Sequence, residues 1–279
     1  MRYQAFGWGA LALGALTSGT PGAAAASDGA RPGTPHRAPA AAPVAAHYRI
    51  DQTVEQIVDA SALGGGEERQ RFSVSTFLAL TLTDSAGGRT VHAVVDSMRG
   101  DSTTPVPRTV LDSARGVALH GFVTRSGKLV GVQPLTPTPL AAQLTAVVRQ
   151  LFPPVRQGIK VGDGWADTTE SSNAAGGGTV TIRRVTRYRA TGAESHGGMR
   201  AVKIETAFTA SVTGTQQMGE GTANVEGSGT GKETYYIAPD GHYLDGNSTQ
   251  ISRLTISGAF APKPLPVQLT ETFAASALR

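Results

Sequence analysis

Phe72-Ser73-Val74-Ser75-Thr76-Phe77-Leu78-Ala79-Leu80-Thr81-Leu82 alternates along its whole length. Every second residue, Phe72, Val74, Thr76, Leu78, Leu80 and Leu82, falls on one face, which is the side-chain period of a β-strand. The turn residues Asp84-Ser85-Ala86-Gly87-Gly88 then reverse the chain into a second strand over 90–98, so the pair reads as a long hairpin. Phe77 lies opposite Leu78 and Leu80, and Val94 and Met98 are expected to oppose Val91 and Val95. Apolar residues on both faces suit a sheet that packs on one side and lines a cavity or a covered core on the other.

The same period extends outward from this hairpin. Upstream, Tyr48, Ile50, Gln52, Val54, Gln56 and Val58 share a face of another strand. Downstream, a shorter hairpin occupies 117–124 and 128–133 around Ser126-Gly127, and further strands are expected over 180–189, 199–212, 222–237, 243–256 and 267–273. Their separators, such as His196-Gly197-Gly198 and Pro239-Asp240-Gly241, carry turn chemistry. One helix interrupts the series at 138–152. Thr138 suits its N-cap, Pro139 its first position, and Leu140, Leu144, Val147, Val148 and Leu151 fall on one stripe before Pro153-Pro154 stops it. The fold class that follows is mainly β: a long antiparallel meander of about eleven strands forming a curved sheet or incomplete barrel, one amphipathic helix on its concave side and two meanders joined by that helix.

Composition agrees with this reading. Hydrophobic residues make up 39% of the 279, charged residues 16%, and glycines number 35, a mixture that favours a β-rich extracytoplasmic protein over a helical cytosolic enzyme. The start reads as an export signal over 1–26: Arg2, a short apolar run at 6–16, and small residues before Ser27. That apolar run is shorter than the roughly 20 residues a membrane span needs. Residues 27–45 are rich in Ala, Pro and Gly and read as a disordered spacer, leaving 46–279 as a single β-rich domain. The expected location is periplasmic or secreted, with no transmembrane segment in the mature chain. With no cysteine in the sequence, lipidation at cysteine, disulfides and thiolate metal sites are excluded.

The motif-level signals are weak ones. Ala193-Glu194-Ser195-His196-Gly197 lacks the first glycine of a nucleophile elbow and links two strands rather than a strand to a helix. Gly227-Ser228-Gly229-Thr230-Gly231-Lys232 fails as a phosphate loop, because Glu226 precedes it and Glu233 follows the lysine; its alternating glycines suggest a strand against which a bulky neighbour packs. The six histidines show no ligand spacing, and Asp163, Asp167, Asp240 and Asp245 are turn aspartates without a calcium-loop pattern. Arg183, Arg187 and Arg189 share one strand face and Arg184 takes the other, a solvated basic face with too few aromatics for nucleic acid. Neither a metal nor a cofactor is expected.

The most distinctive stretch is Phe152-Pro153-Pro154-Val155-Arg156-Gln157-Gly158-Ile159-Lys160-Val161-Gly162-Asp163-Gly164-Trp165. Its prolines followed by Val-Gly-Asp-x-Trp resemble uncharacterised secreted bacterial proteins of the DUF6263-like family. With the long meander, the chain is also similar to the wider group of lipoprotein-carrier-like envelope proteins (LolA, LolB and LppX). That resemblance implies a half-barrel whose apolar concave face holds a lipid or acyl chain. The residues themselves suggest packing: Gly162 and Gly164 allow a tight turn, and Trp165 anchors the next strand.

The expectation is therefore a non-enzymatic exported protein that binds an apolar or amphipathic ligand, such as a lipid, in its curved sheet. Leu78, Leu80, Leu140, Leu144, Val148 and Phe208 are the cavity candidates. The rival readings are an envelope interaction or scaffolding protein with a protein partner and no small ligand, and a hydrolase whose Ser, His and carboxylate converge from distant positions.

Overall fold

The computed structural model describes residues 43–155, 158–175, 178–196, 198–218, 221–239, 241–259 and 263–278. The expected export signal and nearly all of the spacer lie outside these residues. The strands are β1 (Val44–Asp59), β2 (Glu67–Ser85), β3 (Gly88–Gly100), β4 (Ala118–Thr124), β5 (Leu129–Pro134), β6 (Gly164–Ala175), β7 (Gly178–His196), β8 (Met199–Met218), β9 (Gly221–Ile237), β10 (Tyr243–Gly258) and β11 (Leu265–Leu278). Two helices accompany them, α1 (Arg108–Asp112) and α2 (Pro139–Gln150). The first strand starts at Val44, so the folded part takes in the last two residues assigned to the spacer. No helix among the described residues is long and apolar enough to cross a membrane.

All eleven strands form one antiparallel sheet in the order β5-β4-β3-β2-β1-β11-β10-β9-β8-β7-β6. Two meanders, β1 to β5 and β6 to β11, meet where β1 pairs with β11, so the first and last strands in the chain lie at the centre of the sheet. Its free edges are β5 and β6, and the segment carrying α2 runs from one edge to the other. Laid flat, eleven strands would span roughly 48 Å at about 4.8 Å per strand. The edges nevertheless approach each other, since Lys128 and Leu129 at the start of β5 line the same cavity as Asp167 and Thr169 of β6. The sheet is therefore strongly curled but not closed: α2, not a hydrogen-bonded ladder, fills the gap.

Alternation decides which residues face inward. On β2, Phe72, Val74, Leu78, Leu80 and Leu82 are buried together with Thr76, while the residues between them are exposed or half-buried. Phe77 is on the outer face, with the guanidinium groups of Arg49 and Arg99 at 6.0 and 5.7 Å from its ring centre. β3 corrects one expectation. Val91, Ala93 and Val95 point inward, and so does Met98, because a β-bulge at Asp96 inserts one residue against β2 and reverses the alternation beyond it. Similar irregularities interrupt β4–β5, β7–β8 and β9–β10. Bulges increase local twist and bend, which helps so long a sheet to curl.

The interior is layered. One apolar cluster joins the inner faces of β1, β2 and β3 (Ile50, Leu78, Leu80, Val95) to Leu144, Val147, Val148 and Leu151 on and just after α2. A second cluster, at the other end of the curl, contains Val58, Ile182, Val212, Val225, Leu254, Ile256, Leu265, Val267 and Leu269. Neither α1 nor α2 contributes to it; Leu63, in a 3-10 turn (Ser61–Leu63) after β1, packs against it from outside the strands. Between the clusters the inward positions turn polar: Gln56 on β1, Glu271 on β11, Gln250 and Ser252 on β10, Glu233 on β9, Thr206 on β8 and Arg184 on β7.

Glycine makes room in this layer. Gly231 of β9 lies opposite Phe208 of β8, and a Cβ there would stand 2.3 Å from Phe208 Cζ and 2.8 Å from the Thr249 carbonyl oxygen. The ring thus lies over the glycine, the close approach that the alternating glycines at 227–231 suggested. Gly231→Ala is expected to lose about 1–3 kcal/mol by overpacking, read as a lower urea midpoint at unchanged slope. A loss under about 0.5 kcal/mol would show that the ring swings aside freely.

Candidate functional site

Local sequence holds α2 in place above the polar layer. Thr138 Oγ1 accepts a hydrogen bond from the Ala141 amide at 3.1 Å, Pro139 opens the first turn, and Leu144, Val147 and Val148 are buried. After the helix, the Val-Gly-Asp-x-Trp stretch pins the return to β6. Gly162 adopts a left-handed φ of 97° and its amide donates to the Ala190 carbonyl at 2.8 Å. Trp165 stacks on Tyr188 with centroids 4.9 Å apart, and its indole N–H donates to the Pro154 carbonyl at 3.2 Å. The motif thus holds down both ends of the crossing segment.

Beneath α2 lies a cavity of about 90 Å³. Its apolar wall is Val54, Phe72, Val74, Met98, Leu144, Val147 and Phe273; its polar wall includes Gln143, Gln150, Arg184, Glu233, Tyr235, Gln250 and Glu271. A second cavity, of about 190 Å³, lies on the β6–β7 side of the helix and shares Gln150, Arg184, Glu233 and Tyr235 with the first. Lys128, Arg149 and Asp167 also line this second space. The two cavities form a cleft running under the helix, with the Arg184–Glu233 pair at the junction.

That pair is buried and well served. An Arg184 guanidinium N–H donates to Glu233 Oε1, Arg184 Nε donates to Thr186 Oγ1 at 3.2 Å, and the guanidinium lies 3.5 Å from the centre of the Phe208 ring. Glu233 also accepts from the Thr206 hydroxyl at 3.0 Å and from the Tyr235 hydroxyl. Burial, and then the negative charge of Glu233, push the Tyr235 hydroxyl well above the ordinary tyrosine range, so it stays a donor at any physiological pH. Burial also lowers the Arg149 side chain from its ordinary value.

Glu271 is different. It projects inward between Leu269 and Phe273, is half-buried and lines the cavity, and among the described residues its carboxyl makes no hydrogen bond or ion pair. Burial alone pushes its carboxyl up to about 7. Nearby, Gln150 Oε1 is buried without a donor, while Gln250 Nε2 donates to Ser252 Oγ at 3.2 Å. The chemistry the near cavity offers is one matched ion pair, one unmatched carboxyl and one unmatched amide oxygen, beside an apolar wall.

The six cavity candidates read from the sequence are distributed around this space. Leu144 lines it. Leu78, Leu80 and Val148 are buried in the apolar cluster that joins α2 to β1–β3, at most 2% exposed. Leu140 is half-buried against that cluster, and Phe208 is buried under Arg184. None of these five lines the cavity or its neighbour. The polar members Glu233, Gln250 and Glu271 escaped the sequence reading. Their signal was a polar residue at an inward parity: Glu233 continues the series Gly227, Gly229, Gly231, and Glu271 sits between two apolar inward positions.

Other polar groups serve elsewhere. His196 faces Asp245 at 3.3 Å and stacks on Tyr236 at 4.4 Å, lining neither cavity. Tyr48, fully buried, donates its hydroxyl to the Tyr243 carbonyl at 2.6 Å and also meets His242 Nε2 at 2.9 Å. Arg183, Arg187 and Arg189 are exposed on the outer face of β7, opposite in direction to Arg184.

No known family profile matches the chain, and neither does any curated protein. Among solved structures it is similar to DynF from the dynemicin biosynthesis pathway of Micromonospora chersina, at 10% identity over 92% of this chain and 94% of that one, with a TM-score of 0.23. It is also similar to a loop-deletion mutant of OmpT, an outer membrane protein of Vibrio cholerae, at 9% identity over 84% of this chain and 100% of that one, with a TM-score of 0.19. Likenesses at these scores carry no argument about fold or function, so the functional reading rests on the cleft itself.

Proposed function

We propose that this chain is a non-enzymatic exported protein that binds an apolar or amphipathic ligand between its curled sheet and α2. The observation that carries the reading is the cleft beneath α2, with its apolar wall on one side and unmatched polar groups on the other. A sheet serving only as a scaffold gains nothing from a half-buried carboxyl without a partner beside a buried amide oxygen without a donor, because each such group costs stability. A ligand with a polar end and an apolar body would satisfy both walls. Export follows from the reading of residues 1–26. At about 90 Å³ the near cavity is smaller than the roughly 300–1,000 Å³ of typical small-molecule sites, so the ligand occupies the whole cleft or enters by its end group.

Native mass spectrometry of the chain purified from a bacterial periplasm, with organic extraction of the bound material, tests this. A stoichiometric adduct is expected in the parent chain. It should be absent in Val147→Phe, whose ring fills the near cavity from the helix side while circular dichroism reports an unchanged fold. A bare mass in every preparation, lipid-supplemented ones included, would sink the proposal and turn the search to protein partners.

A further inference from the structure

The unmatched groups of the near cavity share a hydrogen-bonding sense. Among the described residues, neither Glu271 nor Gln150 Oε1 accepts a side-chain or backbone donor. Arg184, the only cationic side chain among the described residues lining the near cavity, already serves Glu233, Thr186 and the Phe208 ring. A ligand carboxylate or phosphate seated in the near cavity would have to break that pair and leave Glu233 as a charge without its cation. A ligand that brings a positive charge and N–H donors breaks nothing. Phe72 and Phe273, which line the same space, are compatible with an ammonium group near their rings.

We infer that the polar end of the ligand is an amine carried as an ammonium ion, with Glu271 as its counter-ion and Gln150 as a second acceptor, and that its apolar body lies along Phe72, Met98, Leu144 and Phe273. This inference rests on the ligand-binding reading above and narrows it to cationic amphiphiles.

The pairing has a consequence for pH. The titratable or charged groups lining the near cavity besides Glu271 are Arg184, Glu233 and Tyr235, and the first two neutralise each other. Tyr235 stays protonated, so Glu271 is the group that changes charge near neutrality. Below about pH 7 an incoming ammonium must displace the Glu271 proton to solvent, one proton per ligand; above it the carboxylate is already free. Amine binding should therefore tighten from pH 5.5 to pH 8.

Isothermal titration of the delipidated chain with n-octylammonium, n-octanol and n-octanoate separates the cases. Octylammonium is expected to bind at least about tenfold tighter than either of the others at pH 8, and to weaken by roughly tenfold or more at pH 5.5. Glu271→Gln, nearly isosteric and uncharged, should abolish both the preference and the pH dependence while still binding octanol. Equal binding of all three ligands, a preference for octanoate, or a preference unchanged in Glu271→Gln would overturn the cationic inference and leave the ligand-binding reading standing. Failure of all three to bind would overturn both.

Discussion

At pH 8, Glu271→Gln should unfold at a higher urea concentration than the parent chain, by an amount equivalent to about 3 kcal/mol, while at pH 4 the two should coincide. The reasoning is a proton balance. The carboxyl titrates near 7 in the fold and near 4.5 when unfolded. Below the lower value it is protonated in both states and costs nothing extra. Between the two, the unfolded chain ionises while the folded chain holds its proton, so stability falls as pH rises. Above 7 the carboxylate is charged in both states and the burial penalty is complete, at roughly 1.4 kcal/mol per pH unit of the gap. Glutamine keeps the shape and removes the titration. Asp245, which burial also raises, is present in both chains and cancels in the comparison. The measurement is a pair of urea titrations on ligand-free protein across pH 4–8. Parallel curves would mean that Glu271 is solvated in the fold and that the cavity is an ordinary wet surface cleft.

The fold was legible in the sequence because alternation is a local signal that burial on one face enforces residue by residue. Phe72 to Leu82, read as one inward row, is buried at every alternate position. The helix was legible for the same reason, its cap and stripe being contiguous in the chain. A single extra residue hid the direction of Met98: a bulge is a register event between two strands, and nothing in the 90–98 segment alone announces it. The candidate site was harder still. Glu233 and Glu271 come from β9 and β11, Arg184 from β7 and Gln150 from α2, and their meeting depends on strand order and on how far the sheet curls. Apolar inward residues were the natural candidates, yet Leu78 and Leu80 on β2 belong to the packed cluster that includes Leu144, Val148 and Leu151 and do not reach the cavity. The opening falls where the inward row turns polar, because such side chains cannot be packed as tightly without leaving their hydrogen bonds unmade.

Arg184→Met should produce the largest loss of all, about 3–5 kcal/mol, since it leaves Glu233 as a buried carboxylate without its cation and removes the guanidinium from the Phe208 ring. Glu233→Gln should cost a similar amount by leaving the guanidinium unmatched. The double variant should recover most of either loss, because the glutamine side chain introduced by Glu233→Gln would still accept from Thr206 and Tyr235 while no unpaired charge remains. A coupling energy of at least about 2 kcal/mol in this double-mutant cycle is the expected result. The pair's side chains are 15% and 9% exposed, which places it below the regime in which solvent screens an ion pair to near nothing. Additive, small losses would mean that water fills the cleft and reaches the pair. In such a cleft Glu271 would be hydrated rather than waiting for a counter-ion, and a bound amine would gain little from it. A strong coupling instead makes the polar layer a dry one, in which a second carboxylate has every reason to be matched by a ligand.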